Sequence, residues 1–314
     1  MGRGDRAHER GVVPAEAAVT GTGKTACQAA VVSRTVGRVR VLVGEARRLG
    51  VPESRARLRF AEGAKAPGAW AGRRLLVVDD EPAFERSFWC GTCPFLFRRL
   101  EGAHQTLSLD HVRERLALRL TEPDRAVVEA FAALLPEGDY LPLLLRIEPR
   151  LTVPGREGDY FSHEQVATWG IDGFWGLPEY PHTPYYRTFE TAVGDAAHLY
   201  EFVVPMVPPT WNERDRVEEY AGQMRRGAVP TAVAVSTLDL CQPAMDDRSA
   251  DYYEHWGLTH FLLDGHHKLE AAASAGRPVQ LLSLLALDES DAPARDHRRL
   301  AALRAQHRRG RAAV

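Results

Sequence analysis

Between residues 201 and 285 one arrangement occurs twice, and it restricts the fold of this chain more than any other feature. Residues 201–207 form an apolar, β-branched run with the length of a buried strand. Asn212 then stands where it can cap a helix whose apolar positions Val217, Tyr220, Ala221 and Met224 follow an i, i+3, i+4, i+7 stripe. Gly227 ends that helix, Pro230 follows, and residues 231–235 read as a strand. The order then recurs with strand 261–263, helix 266–275, closing Gly276, Pro278 and strand 279–285. Residues 240–259 are an insertion between the halves. Two strand-helix-strand units in succession predict a mixed α/β fold, the repeated unit packing with the N-terminal mixed α/β region.

The rest of the chain divides around this unit. Residues 1–37, rich in Ala, Gly and Arg without a sustained period, are expected to be a poorly ordered basic segment. Within it, Gly23-Lys24-Thr25 has the end of a phosphate-binding loop, but Ala18 stands where that pattern needs its first glycine. Residues 38–153 form an N-terminal mixed α/β region. Strands are predicted at 39–43, 74–78 and 140–147, and helices at 108–120 and 122–135. Thr121 is the expected N-cap of the second helix, with Pro123 in its first turn. Residues 154–200 are an aromatic and proline-rich connection, 201–290 the repeated unit, and 291–314 a basic tail.

The connection and the residues just after it hold Phe161, Trp169, Phe174, Trp175, Tyr180, Tyr185, Tyr186, Phe189, Tyr200, Phe202 and Trp211, broken by Pro178, Pro181 and Pro184. Such prolines forbid a long helix and predict extended chain. Its rings either wall a substrate pocket or pin a loop to the core.

Charge limits the partners. The formal net charge is −2, but both ends are basic and residues 75–290 are correspondingly acidic. Nucleic acid requires a basic footprint, which the folded middle lacks. No apolar run is long enough to span a bilayer, the first ten residues lack the core of a signal peptide, and four cysteines are too few for a disulfide scaffold. A cytoplasmic protein with no membrane partner is expected.

The chemistry concentrates where strand 261–263 meets the last long helix, at Asp264-Gly265-His266-His267-Lys268. Gly265 permits a tight turn and close ligand approach. The first amides of the helix have no internal partner, and the helix dipole adds partial positive charge there. Such an end accepts anions. His266, His267 and Lys268 add donors, and Asp264 reads as a capping residue or a ligand for phosphate-bound Mg²⁺.

The run Phe261-Leu262-Leu263-Asp264-Gly265-His266-His267-Lys268-Leu269-Glu270-Ala271 resembles the Asp-Gly-His-His-Arg box of the ParB/sulfiredoxin-like superfamily. The approach through Arg226-Gly227 and Pro230 to a strand is similar to that family's as well. The resemblance covers residues 200–290. Members of that superfamily include ATP-using sulfinic-acid reductases, CTP-binding partition proteins and kinases of free serine. It implies that Gly265, His266, His267 and Lys268 hold the phosphates of ATP or a related nucleotide with Mg²⁺. It also implies that Glu213, after the first strand of the unit, is the nearest counterpart of the kinases' catalytic carboxylate. Lys268 stands where the family's box has arginine, and Gly265 fills the place of the sulfiredoxin cysteine.

A separate signal is Trp89-Cys90-Gly91-Thr92-Cys93, which resembles the Trp-Cys-x-x-Cys of thioredoxin-like proteins. A helix beginning near Cys93 would lower the thiol pKa of Cys90. Alternatively Cys90 and Cys93 bind zinc with His104 and His111, or are two free thiols. The expected function is therefore nucleotide binding, with ATP-dependent phosphate transfer to a small polar molecule and Glu213 and Asp264 as catalytic carboxylates. The alternatives are a non-catalytic nucleotide-gated protein and a thiol or zinc module at Cys90 and Cys93.

Overall fold

The strand-forming runs of the second half, joined by β-strands from the first, assemble the large sheet of this computed structural model, which describes residues 42–64, 73–171, 181–243 and 253–311. In chain order the first elements are β1 (Leu42–Val43), β2 (Arg47–Leu49), β3 (Leu58–Glu62), β4 (Arg74–Val78), β5 (Glu81–Arg86) and β6 (Phe97–Arg99). They are followed by α1 (Arg113–Ala117), α2 (Arg125–Ala132), β7 (Gly138–Ile147), β8 (Arg150–Thr152), α3 (Glu164–Trp169), β9 (Tyr185–Gly194) and β10 (Ala197–Pro205). The last are α4 (Arg214–Arg225), β11 (Thr231–Cys241), β12 (Glu254–Asp264), α5 (His266–Ala275), β13 (Val279–Ala286), α6 (Ala294–His297) and α7 (Leu300–Arg311).

Nine strands form the large sheet in the order β1-β7-β13-β11-β12-β10-β9-β8, with β2 also paired to β7; β3-β4-β5-β6 form a smaller antiparallel sheet. β10 runs parallel to β12 and β11 parallel to β13, while β11 and β12 are antiparallel. The central strands are buried on both faces, which is why apolar residues fall on both sides of them rather than alternating with polar ones.

Side-chain alternation separates two cores. Trp256, Leu258 and Leu262 of β12 pack with Val217, Ala221 and Met224 of α4, Leu269 of α5 and Leu303 of α7. Phe261 and Leu263, on the opposite face, pack with Leu76 and Phe84 of the small sheet and Val128 and Phe131 of α2. Each fully buried side chain of this size contributes about 1.5–3 kcal/mol. The molecule is thus helices, a mixed sheet, and then the small sheet with α2.

The mixed α/β class matches the expectation, and β4 and α5 have the predicted limits. Other elements differ, for identifiable reasons. Helix 108–120 is reduced to a 3-10 turn and the five-residue α1. α2 is capped by Asp124, whose carboxylate accepts the Val127 amide, so the helix starts after Pro123 and Thr121 is not the cap. Residues 240–259 are no free insertion, because β11 and β12 extend into them as an antiparallel pair. The basic tail contains α6 and α7, anchored by Leu300 and Leu303 and by an ion pair from Arg304 to the buried Glu201.

The aromatic segment holds α3, β9 and the start of β10 rather than one extended connection. The rings of Phe161, Tyr185 and Phe202 meet Phe97 of the small sheet and one another, and Tyr160 meets Phe161 and Phe202, at centroid separations of 5.0–6.4 Å. They are an inter-sheet core. Phe174, Trp175 and Tyr180 lie outside the described residues, as do residues 1–41 with Gly23-Lys24-Thr25.

Candidate functional site

The parallel strands β10 and β12 end together, and the chain leaving each turns into a helix, α4 or α5. Gly265 makes the second turn with φ 97°, in the left-handed region, and its Cα faces Ala232 so closely that a Cβ would lie 2.7 Å from the Ala232 Cβ. Only glycine meets both demands. No side chain caps the amides that open α5, in contrast to α2.

The predicted residues converge here, with more internal bonding than the sequence implied. His266 is buried, and its Nε2 accepts the Met206 amide at 3.1 Å, holding the end of β10; its Nδ1 is buried without a partner. Burial pushes its pKa down to about 4, so the ring is neutral at pH 7. His267 is half-buried, and its Nε2 accepts the Glu213 amide at 3.1 Å. Burial and then Arg216 lower its pKa. Lys268 is buried, and its ammonium donates to the Thr231 carbonyl at 2.9 Å and to Asp264 at 3.3 Å. Burial lowers its pKa against the pull of Asp264.

Glu213 is exposed at the N-cap of α4 and lies 3.8 Å from Arg216. Asn212, expected to cap α4, instead donates 2.7 Å to Glu270 on α5. Arg214 completes the clamp with 2.6 and 2.8 Å bonds to the same carboxylate. Burial alone would raise the Glu270 pKa, but Arg214 and Asn212 outweigh it and hold the carboxyl below its usual range. The two helix heads are thus locked together, and Trp211 beside them leaves 58% of its surface exposed. Sequence reasoning missed Arg214, Glu270 and Trp211. Glu270 does stand within the box, but nothing in a single sequence paired α5 with α4.

Among the described residues no group of three or more His, Cys, Asp and Glu side chains converges to hold a metal. None of their helices is long and apolar enough to cross a membrane. Cys90 and Cys93 lie in a tight turn after β5, and the chain continues to β6 with no helix, unlike the thioredoxin arrangement. A scan against protein-family models and searches of curated proteins and of solved structures find no match to this chain.

Buried neutral histidines tie the fold to pH. His255 lies between Tyr160 and Thr168, and burial lowers its pKa to about 3. His260 bonds Ser283 at 2.8 Å in the sheet, and burial lowers it to about 4. With His266 these rings sit below the 6.5 of an unfolded histidine, so the unfolded chain binds their protons first. Their stabilisation is complete above pH 6.5 and lost as pH falls toward 4. Asp291, raised to about 8 by burial and Asp239, opposes them as a single proton held by the folded state. Three rings against one carboxyl leave a net loss of about 1–2 kcal/mol between pH 6.5 and 5.5. Urea unfolding at both values measures it, and Asp291→Asn should enlarge the loss.

Proposed function

We propose that the uncapped head of α5 binds the phosphates of a nucleotide, and that the protein is a ParB/sulfiredoxin-like nucleotide-binding protein transferring phosphate to a small polar molecule. The observation that carries this reading is the left-handed Gly265 opening a ten-residue helix whose first amides receive no side-chain cap. Free amides and the helix dipole favour an anion there. Half-buried His267 and partly exposed Arg216 stand beside that end as donors, and Lys268 adds fixed positive charge from below. His266 and Lys268 serve as supports: one fixes the end of β10, the other ties the turn to Thr231. Exposed Trp211 offers a stacking face for the base.

Glu213 is the carboxylate available to take a proton from an acceptor hydroxyl. Asp264 would serve as the protein carboxylate on a phosphate-bound Mg²⁺, an ion that uses few protein ligands and would neutralise charge on the phosphates.

Thermal unfolding with ATP, ADP, CTP and GTP, with and without Mg²⁺, tests the binding. A nucleotide at 100 times its dissociation constant adds about 2.7 kcal/mol of stability. His267→Ala and Arg216→Ala should each weaken that nucleotide about tenfold. Four nucleotides without effect, or a double variant that binds like the parent, would end the proposal. The burial of His266 and Lys268 favours a second reading, a non-catalytic protein gated by nucleotide. Glu213→Gln separates the two, since only the enzyme loses turnover while keeping affinity.

A further inference from the structure

Outside the α5 site, the most reactive-looking chemistry in the described residues is the turn Cys90-Gly91-Thr92-Cys93. Its Cys93 amide bonds the Cys90 carbonyl at 3.2 Å, which closes a β-turn and brings the two side chains onto one side. The Cys90 sulfur lies 3.3 Å from the Thr92 hydroxyl, and both cysteines are only partly buried.

The turn is braced from two directions. The Gln242 amide, just past β11, donates to the Gly91 carbonyl at 2.8 Å, and the Trp169 indole of α3 donates to the Thr92 carbonyl at 3.1 Å. Gly91 and Thr92 are exposed, with nothing within 4 Å of a Cβ at Gly91, so a small reagent can reach the sulfurs. Cys241, at the end of β11, is buried.

We propose that Cys90 and Cys93 form a reversible thiol–disulfide site that exchanges with low-molecular-weight disulfides of the glutathione type, Cys90 attacking and Cys93 resolving. Their environments divide these roles. Burial would raise the Cys90 pKa, but hydrogen bonds from Cys93 and Thr92 prevail and lower it. Burial and then the neighbouring Cys90 push Cys93 up to about 12. The thiolate is the attacking form, so Cys90 reacts first.

Its sulfur bonds to one sulfur of the oxidant; the oxidant's S–S bond breaks, and the departing thiolate takes up the proton Cys90 lost. The Cys90 charge that hindered Cys93 is now gone. Cys93 gives up its proton and attacks the Cys90 sulfur, forming the intramolecular disulfide and releasing the second thiol. Two protein thiols are oxidised by two electrons, and one disulfide is reduced to two thiols. Cys241, whose pKa burial drives well up, takes no part.

The experiment treats the full-length protein with oxidised glutathione, quenches with acid, alkylates and maps peptides by mass. The peptide holding both cysteines should lose two hydrogens and resist alkylation, recover with dithiothreitol, and leave Cys241 reduced. Cys93→Ser should trap glutathione on Cys90, while Cys90→Ser should slow adduct formation at Cys93 roughly tenfold or more. Melting curves establish that both variants fold. The parent protein needs no variant to decide the matter. A peptide that stays dithiol under excess oxidised glutathione, or an adduct that forms on Cys93 as fast as on Cys90, overturns the proposal.

Discussion

Replacing Asp239 with alanine is expected to lower the unfolding free energy by about 3–5 kcal/mol, the cost of stranding a buried charge. The charge is Arg74, 1% exposed on β4, whose guanidinium donates to Asp239 of β11 at 3.0 Å and to the Ser87 carbonyl at 3.1 Å. It also donates to the Glu289 carbonyl and lies 3.7 Å from the Trp89 ring centroid. Arg86 is buried beside it, and burial together with Arg74 lowers its pKa to about 10. Asp239 is therefore the buried anion between two guanidiniums at the junction of the two sheets. Without it, Arg86 keeps the partly exposed Glu289 while Arg74 keeps only carbonyls and a ring face. Urea unfolding measures the loss. Arg74→Met combined with Asp239→Leu should regain much of it, because a buried ion pair is often replaceable by apolar groups whereas half of one is not. A single Asp239→Ala loss below about 1 kcal/mol would mean that water or Asp291 already compensates Arg74.

That junction marks the boundary between what the sequence disclosed and what it withheld. The β11–α5–β13 unit was legible because each signal there is local: apolar runs of strand length, a helix stripe, and glycine and proline at the ends. The left-handed Gly265 and Gly276 appear where the turn signals placed them. Cap assignment failed twice for one physical reason. Asn212 and Thr121 are both competent caps, but the Asn212 amide has a stronger partner in Glu270, and Pro123 and Asp124 shift the start of α2. The aromatic segment misled because proline counts report where helices stop, whereas the rings report a core that exists only once Phe97 arrives from the other sheet. The box itself was found, but not that His266 and Lys268 turn inward. Nothing local distinguishes a lysine that greets a ligand from one that ties down a strand, since the Thr231 carbonyl it binds lies 37 positions away.

Gly265→Ala should cost about 2–5 kcal/mol, the sum of two separable effects. An L-residue in the left-handed region pays roughly 1–2 kcal/mol, and φ 97° lies beyond the centre of that well. The added methyl would also stand 2.7 Å from the Cβ and 2.9 Å from the Cα of Ala232, a backbone atom near the start of β11 that is held there by pairing with β13, which costs about 1–3 kcal/mol more. The C-cap Gly276 supplies the control. It is left-handed at φ 58°, with nothing within 4 Å of a Cβ, so Gly276→Ala carries the conformational cost alone. The difference between the two variants in urea unfolding is then the crowding against Ala232 together with the extra strain of φ 97° over φ 58°, and Ala232→Gly in the Gly265→Ala background should return only the crowding part, because the strained φ persists. Equal losses at the two glycines would mean that the strand yields to the methyl. In that event the close approach at Ala232 is not what reserves position 265 for glycine, and the turn owes its residue to backbone conformation alone.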